Sequence, residues 1–142
     1  MKRIFLDTNV LIDYIDNRPG AEAAQQIFEE ANSGRIILLA STLTFANFAY
    51  VVKRHHSQEE VYSTLNEMEK RVEALPMDRQ QLRSAINFPS KDFEDMLQYQ
   101  CALAGNCDII VTRNIKDFSE FSIIPLMTSE RFIESLRESS RK

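Results

Sequence analysis

Asp7, Thr8 and Asn9 stand together inside an otherwise aliphatic opening, KRIFLDTNVLID. The arrangement recurs further along, where the apolar run DIIV is followed by Thr112, Arg113 and Asn114, with Asp117 close behind. A third polar group, Ser41-Thr42-Leu43-Thr44, follows RIILLA and leads to Asn47. A fourth, SKDFEDMLQ, carries Asp92 and Asp95. These two acids are three apart and so are neighbours on one helical face. Carboxylates brought to one place repel one another, and a cation makes them tolerable together. Mg²⁺ and Mn²⁺ are hard ions that take oxygen ligands, often one or two carboxylates with several waters kept. Such an ion acidifies water for in-line attack on a phosphodiester. Thr8, Asn9, Thr112 and Asn114 are of the type that orients carboxylates and water around it.

The elements that must position these groups follow from hydrophobic patterning. RIFL, RIILLA and CDIIVT read as short buried strands, RVEALPMD as a further strand, and SIIPLM as an edge strand because of Pro125. Between them lie helical stretches. One begins at Asp7 and runs to Ile15. A second, AEAAQQIFEEANSG, follows the break NRPG, and a third, LTFANFAYVVKRHH, is capped by Ser41 or Thr42. SQEE gives a capping box at Ser57. RQQLRSAINF stops before Pro89, Ser90 caps KDFEDMLQYQCALAGN, and TSERFIESLRE closes the chain. In the sixth helical stretch Phe93, Leu97, Cys101 and Ala104 are expected on one apolar face. Phe48 and Tyr50 fit the apolar stripe of the third, which favours core packing for both. Alternation of strands and helices predicts an α/β fold with a mainly parallel sheet of four to five strands and helices on both faces. The ligand site of such a sheet lies beyond the carboxyl ends of its strands, where the polar groups sit.

Several function classes are excluded or disfavoured. The 142 residues suit one domain, expected over residues 1–138, with a frayed tail at 139–142. No apolar run approaches a membrane span, and Asp7 interrupts what would be a signal peptide, so a cytoplasmic protein is expected. Two cysteines make neither a disulfide framework nor a four-ligand zinc site, and Cys101 is expected in the core. Three scattered glycines offer no phosphate-cradling loop, and no G-x-S-x-G elbow is present. The net charge of −4 disfavours extended duplex binding but allows a local basic patch. Plainer uses exist for each acid: Asp7 as a helix cap, Asp92 as a favourable charge at a helix start, Asp117 as a turn residue. His55 and His56 read as a solvated helix end.

FLDTNVLID, STLTFANFAYVVKR, DFEDMLQYQCALAGNCDIIVTRNIKDF and PLMTSERFI, in that order, resemble a PIN-domain protein across nearly the whole chain. The family includes the toxin ribonucleases of bacterial toxin–antitoxin pairs. The resemblance implies a PIN-like three-layer α/β/α sandwich and a Mg²⁺- or Mn²⁺-dependent nuclease site of three or four acids. It also implies single-stranded RNA as substrate, a small antitoxin as partner, and a homodimer. Carried over, the family's first acid matches Asp7. Its helical acid matches Asp95, with Asp92 a neighbour. Its usual Glu falls on Asn47, and the acid after Thr-Arg falls on Asn114, with Asp117 three residues later. Asp7, Asp95 and Asp117 would then hold one cation rather than two. Arg113, Lys116, Lys53 and Arg54 are the candidate RNA-binding cations. The alternative is a degenerate PIN domain that binds RNA or a protein partner with little or no cleavage.

Overall fold

The computed structural model describes residues 1–140, with side chains to Ser139. Among these, β1 (Lys2–Leu6) is followed by α1 (Thr8–Ile15) and α2 (Ala21–Asn32), then β2 (Ile36–Ser41), α3 (Thr42–Val52) and α4 (Gln58–Arg71). β3 (Val72–Leu75), α5 (Arg79–Asn87), α6 (Phe93–Ala104) and β4 (Ile109–Val111) come next. α7 (Ile115–Ser119), β5 (Leu126–Met127) and α8 (Ser129–Ser140) complete the chain. All strand pairs are parallel, in the order β3-β2-β1-β4-β5. This is the α/β/α sandwich anticipated from the alternation of elements.

The two faces of the sheet are set by period-two alternation along each strand. Ile4, Leu6, Leu38, Ala40, Ile109 and Val111 point to a core shared with α1, α2, α3, α4 and Phe132 of α8. Phe5, Leu39 and Ile110 point the other way, onto Met96, Tyr99 and Cys101 of α6 and Phe118 of α7. Strands buried on both sides need near-continuous aliphatic sequence, which is why RIFL and RIILLA look as they do. β5 is one of the two edge strands, as Pro125 just before it suggested: the Pro125 carbonyl accepts from the Ile110 N–H at 3.0 Å, while a proline has no N–H to give.

Helix starts follow their caps. Ser57 and Glu60 form the full capping box of α4, and Ser41 caps α3 by accepting from the Thr44 N–H at 3.0 Å. The NRPG break places Gly20 at φ +100°, a left-handed turn that glycine takes without strain.

Several expectations are corrected. α6 is capped by Asp92, not Ser90; the Ser90 hydroxyl instead donates to the Asp92 carbonyl at 2.8 Å. The apolar face of α6 is Met96, Tyr99, Cys101 and Ala102, whereas Phe93 is 49% exposed and Ala104 is also exposed. Phe48 is buried as expected, but Tyr50 is 59% exposed. Asp117 lies in the short helix α7 rather than in a turn. Helix α8 runs through Ser140, two residues into the stretch expected as a tail. Residues 141–142 lie outside the described part. Among the described residues, no helix is long and apolar enough to cross a membrane.

Candidate metal-dependent active site

β1 and β4 are hydrogen-bonded neighbours, with Leu6 paired to Val111. Their carboxyl ends therefore present Asp7 and Thr112 side by side. The Thr112 hydroxyl donates to Asp7 Oδ2 at 2.8 Å, and the same oxygen of Thr112 accepts from the Asn114 N–H at 2.9 Å. Asp7 Oδ1 takes the Thr8 N–H at 2.8 Å, so Asp7 is also the N-cap of α1. The cap and the cation ligand are thus not competing readings. A carboxylate has about four acceptor positions, and these two bonds orient it without filling it. Burial raises the pKa of Asp7. The bonds from Thr112 and Thr8 and the charge of Arg113 oppose that rise, and the charge of Asp92 adds to it.

The remaining acids come from α6 and α7. Asp95 sits in the first turn of α6, where its N–H is taken by the Asp92 cap at 3.1 Å. Its pKa is pushed up to about 7, first by burial and then by the charges of Asp92, Asp7, Asp117 and Glu94. Five acids therefore share one electrostatic neighbourhood. The cation beside them, Arg113, is spoken for by the buried Asp13 of α1, Nε to Oδ2 at 3.3 Å. Arg113 offsets part of the charge at Asp7, and a bound cation would relieve the repulsion that remains. Among the described residues, no group of three or more acidic, His or Cys side chains is arranged to hold a metal ion. Mg²⁺ does not require one. It keeps several waters and takes one or two protein carboxylates, so an oxygen-only shelf of acids fits it.

The supporting residues divide. Thr8 and Thr44 lie in a buried polar chain that ties three helices together. Ser41 Oγ donates to Gln98 Oε1 at 2.7 Å, and Gln98 Nε2 donates to Thr44 Oγ1 at 3.1 Å. Thr8 Oγ1 lies 3.3 Å from Thr44 Oγ1. This chain joins α1 and α3 on one face of the sheet to α6 on the other. Asn47 donates to Glu94 Oε1 at 2.6 Å, a second bridge between the same faces. Asn9 is half-buried in the first turn of α1, and Asn114 is the N-cap of α7 without a side-chain capping bond.

Of the proposed RNA-binding cations, Arg113 is beside the acids and Lys116 is exposed on α7. Lys53 and Arg54 lie just past the far end of α3, with Lys53 six residues and about 9 Å of helix rise beyond Asn47. There Lys53 Nζ lies 4.6 Å above the Tyr50 ring, with the Arg54 guanidinium at 5.8 Å. They share an open groove with Tyr62 and His56 rather than joining the acids.

Three residues at the site were not anticipated: Glu94, Gln98 and Asp13. Glu94 lies between the two acids that were named. Gln98 is a polar residue on the face α6 turns inward, and the pattern MLQYQCALA does not single it out, because Gln100 stands two residues on and is only half-buried. Asp13 had no local signal, because its partner Arg113 is 100 residues away in sequence.

The PIN domain sequence pattern matches residues 3–116. Ribonuclease VapC1 of Aquifex aeolicus is 25% identical over 139 residues, covering 94% of each chain. The fold is similar to that in the DNA-bound VapBC structure from Salmonella typhimurium (TM-score 0.68, 22% identity, 91% of this chain and 99% of that one). It is also similar to that in VapBC-1 from nontypeable Haemophilus influenzae (TM-score 0.67, 21% identity, 90% and 98%). With the family pattern spanning most of its length, the chain belongs to the PIN domain family.

Proposed function

We propose that this protein is a Mg²⁺- or Mn²⁺-dependent endoribonuclease that hydrolyses single-stranded RNA and serves as the toxin of a toxin–antitoxin pair. The observation that supports the reading is Asp7 at the carboxyl end of β1, with the charges of Asp7, Asp92, Asp117 and Glu94 all acting on Asp95. The curated relative's designation as a ribonuclease and the toxin–antitoxin complexes among the structural relatives support it. In this reading Asp7, Asp95 and Asp117 would hold the cation, one or two of them directly and the rest through its waters. When bound, it supplies Lewis acidity towards water and neutralises charge on the phosphodiester. Thr112 fixes the rotamer of Asp7, and Asn114 anchors Thr112 in turn. Arg113 and Lys116 meet the phosphates, while Lys53, Arg54 and the Tyr50 ring offer a second contact further along the strand. A small antitoxin and a second copy of this chain are the proposed protein partners. The exposed apolar side chains Leu82, Ile86 and Phe88 are surface that a protein partner would cover.

Cleavage of an unstructured RNA with Mn²⁺ tests the proposal. Wild type should cut, EDTA should stop it, and Asp7→Asn or Asp95→Asn should lower the rate at least about a hundredfold, as for loss of a principal electrostatic group. Equal cutting by all three proteins would mark a contaminant. RNA binding without cutting by wild type would favour the second reading, a binding-only PIN domain, for which Asn47 and Asn114 speak because they bring amides where carboxylates serve a cation better.

A further inference from the structure

Four elements border the acid shelf. The end of β1 brings Asp7, α6 brings Asp95 and α7 brings Asp117. The fourth, α3, brings an amide, Asn47, which cannot offset a cation's charge. Asn47 is not idle, however. Its Nδ2 donates to Glu94 Oε1 at 2.6 Å, a short bond of the charge-assisted kind. The contact reaches from a helix on one face of the sheet to a helix on the other. It also explains an orientation. Adjacent residues on a helix diverge by about 100°, so Glu94 and Asp95 have no reason of their own to serve one place. A glutamate in the exposed first turn of α6 would ordinarily extend into water. The Asn47 bond holds it towards α3 instead. Its charge is felt at Asp95, and the charges of Asp92 and Asp7 are felt at Glu94. Asn47 engages only Oε1, and among the described residues no hydrogen bond or ion pair occupies Oε2.

We propose that Glu94 is a further carboxylate of the cation site, swung into it by Asn47, so that α3 supplies the positioning arm and α6 the charge. The proposal rests on the cation-dependent reading above. Glu94 meets the cation directly or through one of its waters, and Asn47 is a positioning residue that never needs to touch it.

Calorimetric titration of the full chain with Mn²⁺ alone tests this without recourse to activity. Glu94→Gln should weaken Mn²⁺ binding roughly tenfold, in the range seen when a supporting group of a metal site is lost. Asn47→Ala should weaken it less, by about threefold. The double variant Asn47→Glu/Glu94→Gln moves the carboxylate to α3 and exchanges donor for acceptor. It should recover affinity to within about twofold of wild type. Asp95→Asn is the reference for the site itself. If Asp95→Asn loses Mn²⁺ while Glu94→Gln binds like wild type, the proposal fails and the cation site stands. If Asp95→Asn also binds like wild type, or wild type binds no Mn²⁺, the cation reading fails and takes the proposal with it. A double variant no better than Glu94→Gln overturns the pairing of the two residues. Circular dichroism of each variant shows that it is folded before its titration is read.

Discussion

Asp7 uses Oδ1 to cap α1 and Oδ2 to receive the Thr112 hydroxyl, so its position is set twice by the fold before any ligand arrives. Asp95 is the opposite case. Among the described residues, nothing hydrogen-bonds to its carboxylate, and its pKa rises to about 7 through burial and then the neighbouring acids. Its proton is held more tightly in the folded chain than in the unfolded one. The resulting stability is fully present below the ordinary value of 3.8 and is lost as pH rises through about 7. Metal-free protein should therefore melt lower at pH 8 than at pH 5. Asp95→Asn should remove about 1–2 kcal/mol of that fall, a figure discounted for the solvent that reaches this side chain. A thermal melt across pH, with EDTA present, measures it. Cation binding favours the ionised form, so Mn²⁺ affinity should strengthen as pH rises through 7, with proton release. Arg113 is also constrained. It partners Asp13, whose other oxygen is buried without a hydrogen bond, so Arg113→Ala should destabilise the fold as well as weaken RNA binding. At this scale the places of Asp7, Asp95 and Asp117 beside the starts of α1, α6 and α7 were legible, because each acid begins or follows a regular element. Glu94 was not, since only its tertiary partner on α3 separates it from an ordinary solvated glutamate.

The elements were legible wherever caps and strand ends speak locally. Ser57 with Glu60, Ser41, and the aliphatic runs RIFL and RIILLA all did. What local pattern could not settle was which side of an element faces inward. α3 is apolar nearly all round, so spacing alone did not separate Phe48, which packs in the core, from Tyr50, which lies under Lys53. In α6 the face was counted from Phe93, a residue of the exposed first turn, whereas packing against the sheet and α5 selects Met96, Tyr99 and Ala102. The chain of Ser41, Thr44 and Gln98 escapes any local reading, because its members come from β2, α3 and α6. It predicts a clear stability effect. Gln98→Ala removes both bonds of a fully buried amide and leaves Ser41 and Thr44 short of partners, at a cost of about 2–3 kcal/mol. For a chain of this size that is a fall in Tm of about 6–10 °C, readable in a thermal melt. Because the same chain sets α6 against α3, this variant should also weaken Mn²⁺ binding.

At the scale of the molecule, alternating strands and helices specified the class but not the order β3-β2-β1-β4-β5. Each crossover is a helix or helix pair, so their sequences do not say which strands become neighbours. The order matters because it sets β1 beside β4 and makes one shelf of two distant acidic segments. A folded-state ligand on that shelf stabilises the whole domain. Mn²⁺ at about a hundred times its dissociation constant should add about 2.7 kcal/mol, a Tm rise of several degrees that Asp7→Asn abolishes. The most direct test of the shared cation centre is an anomalous difference map from crystals of the protein soaked in Mn²⁺. A peak is expected between Asp7 and Asp95, about 2.0–2.2 Å from the nearest carboxylate oxygens, with Asp117 and Glu94 turned towards it directly or through water. A map with ordered Mn²⁺ elsewhere and none at these acids would contradict it.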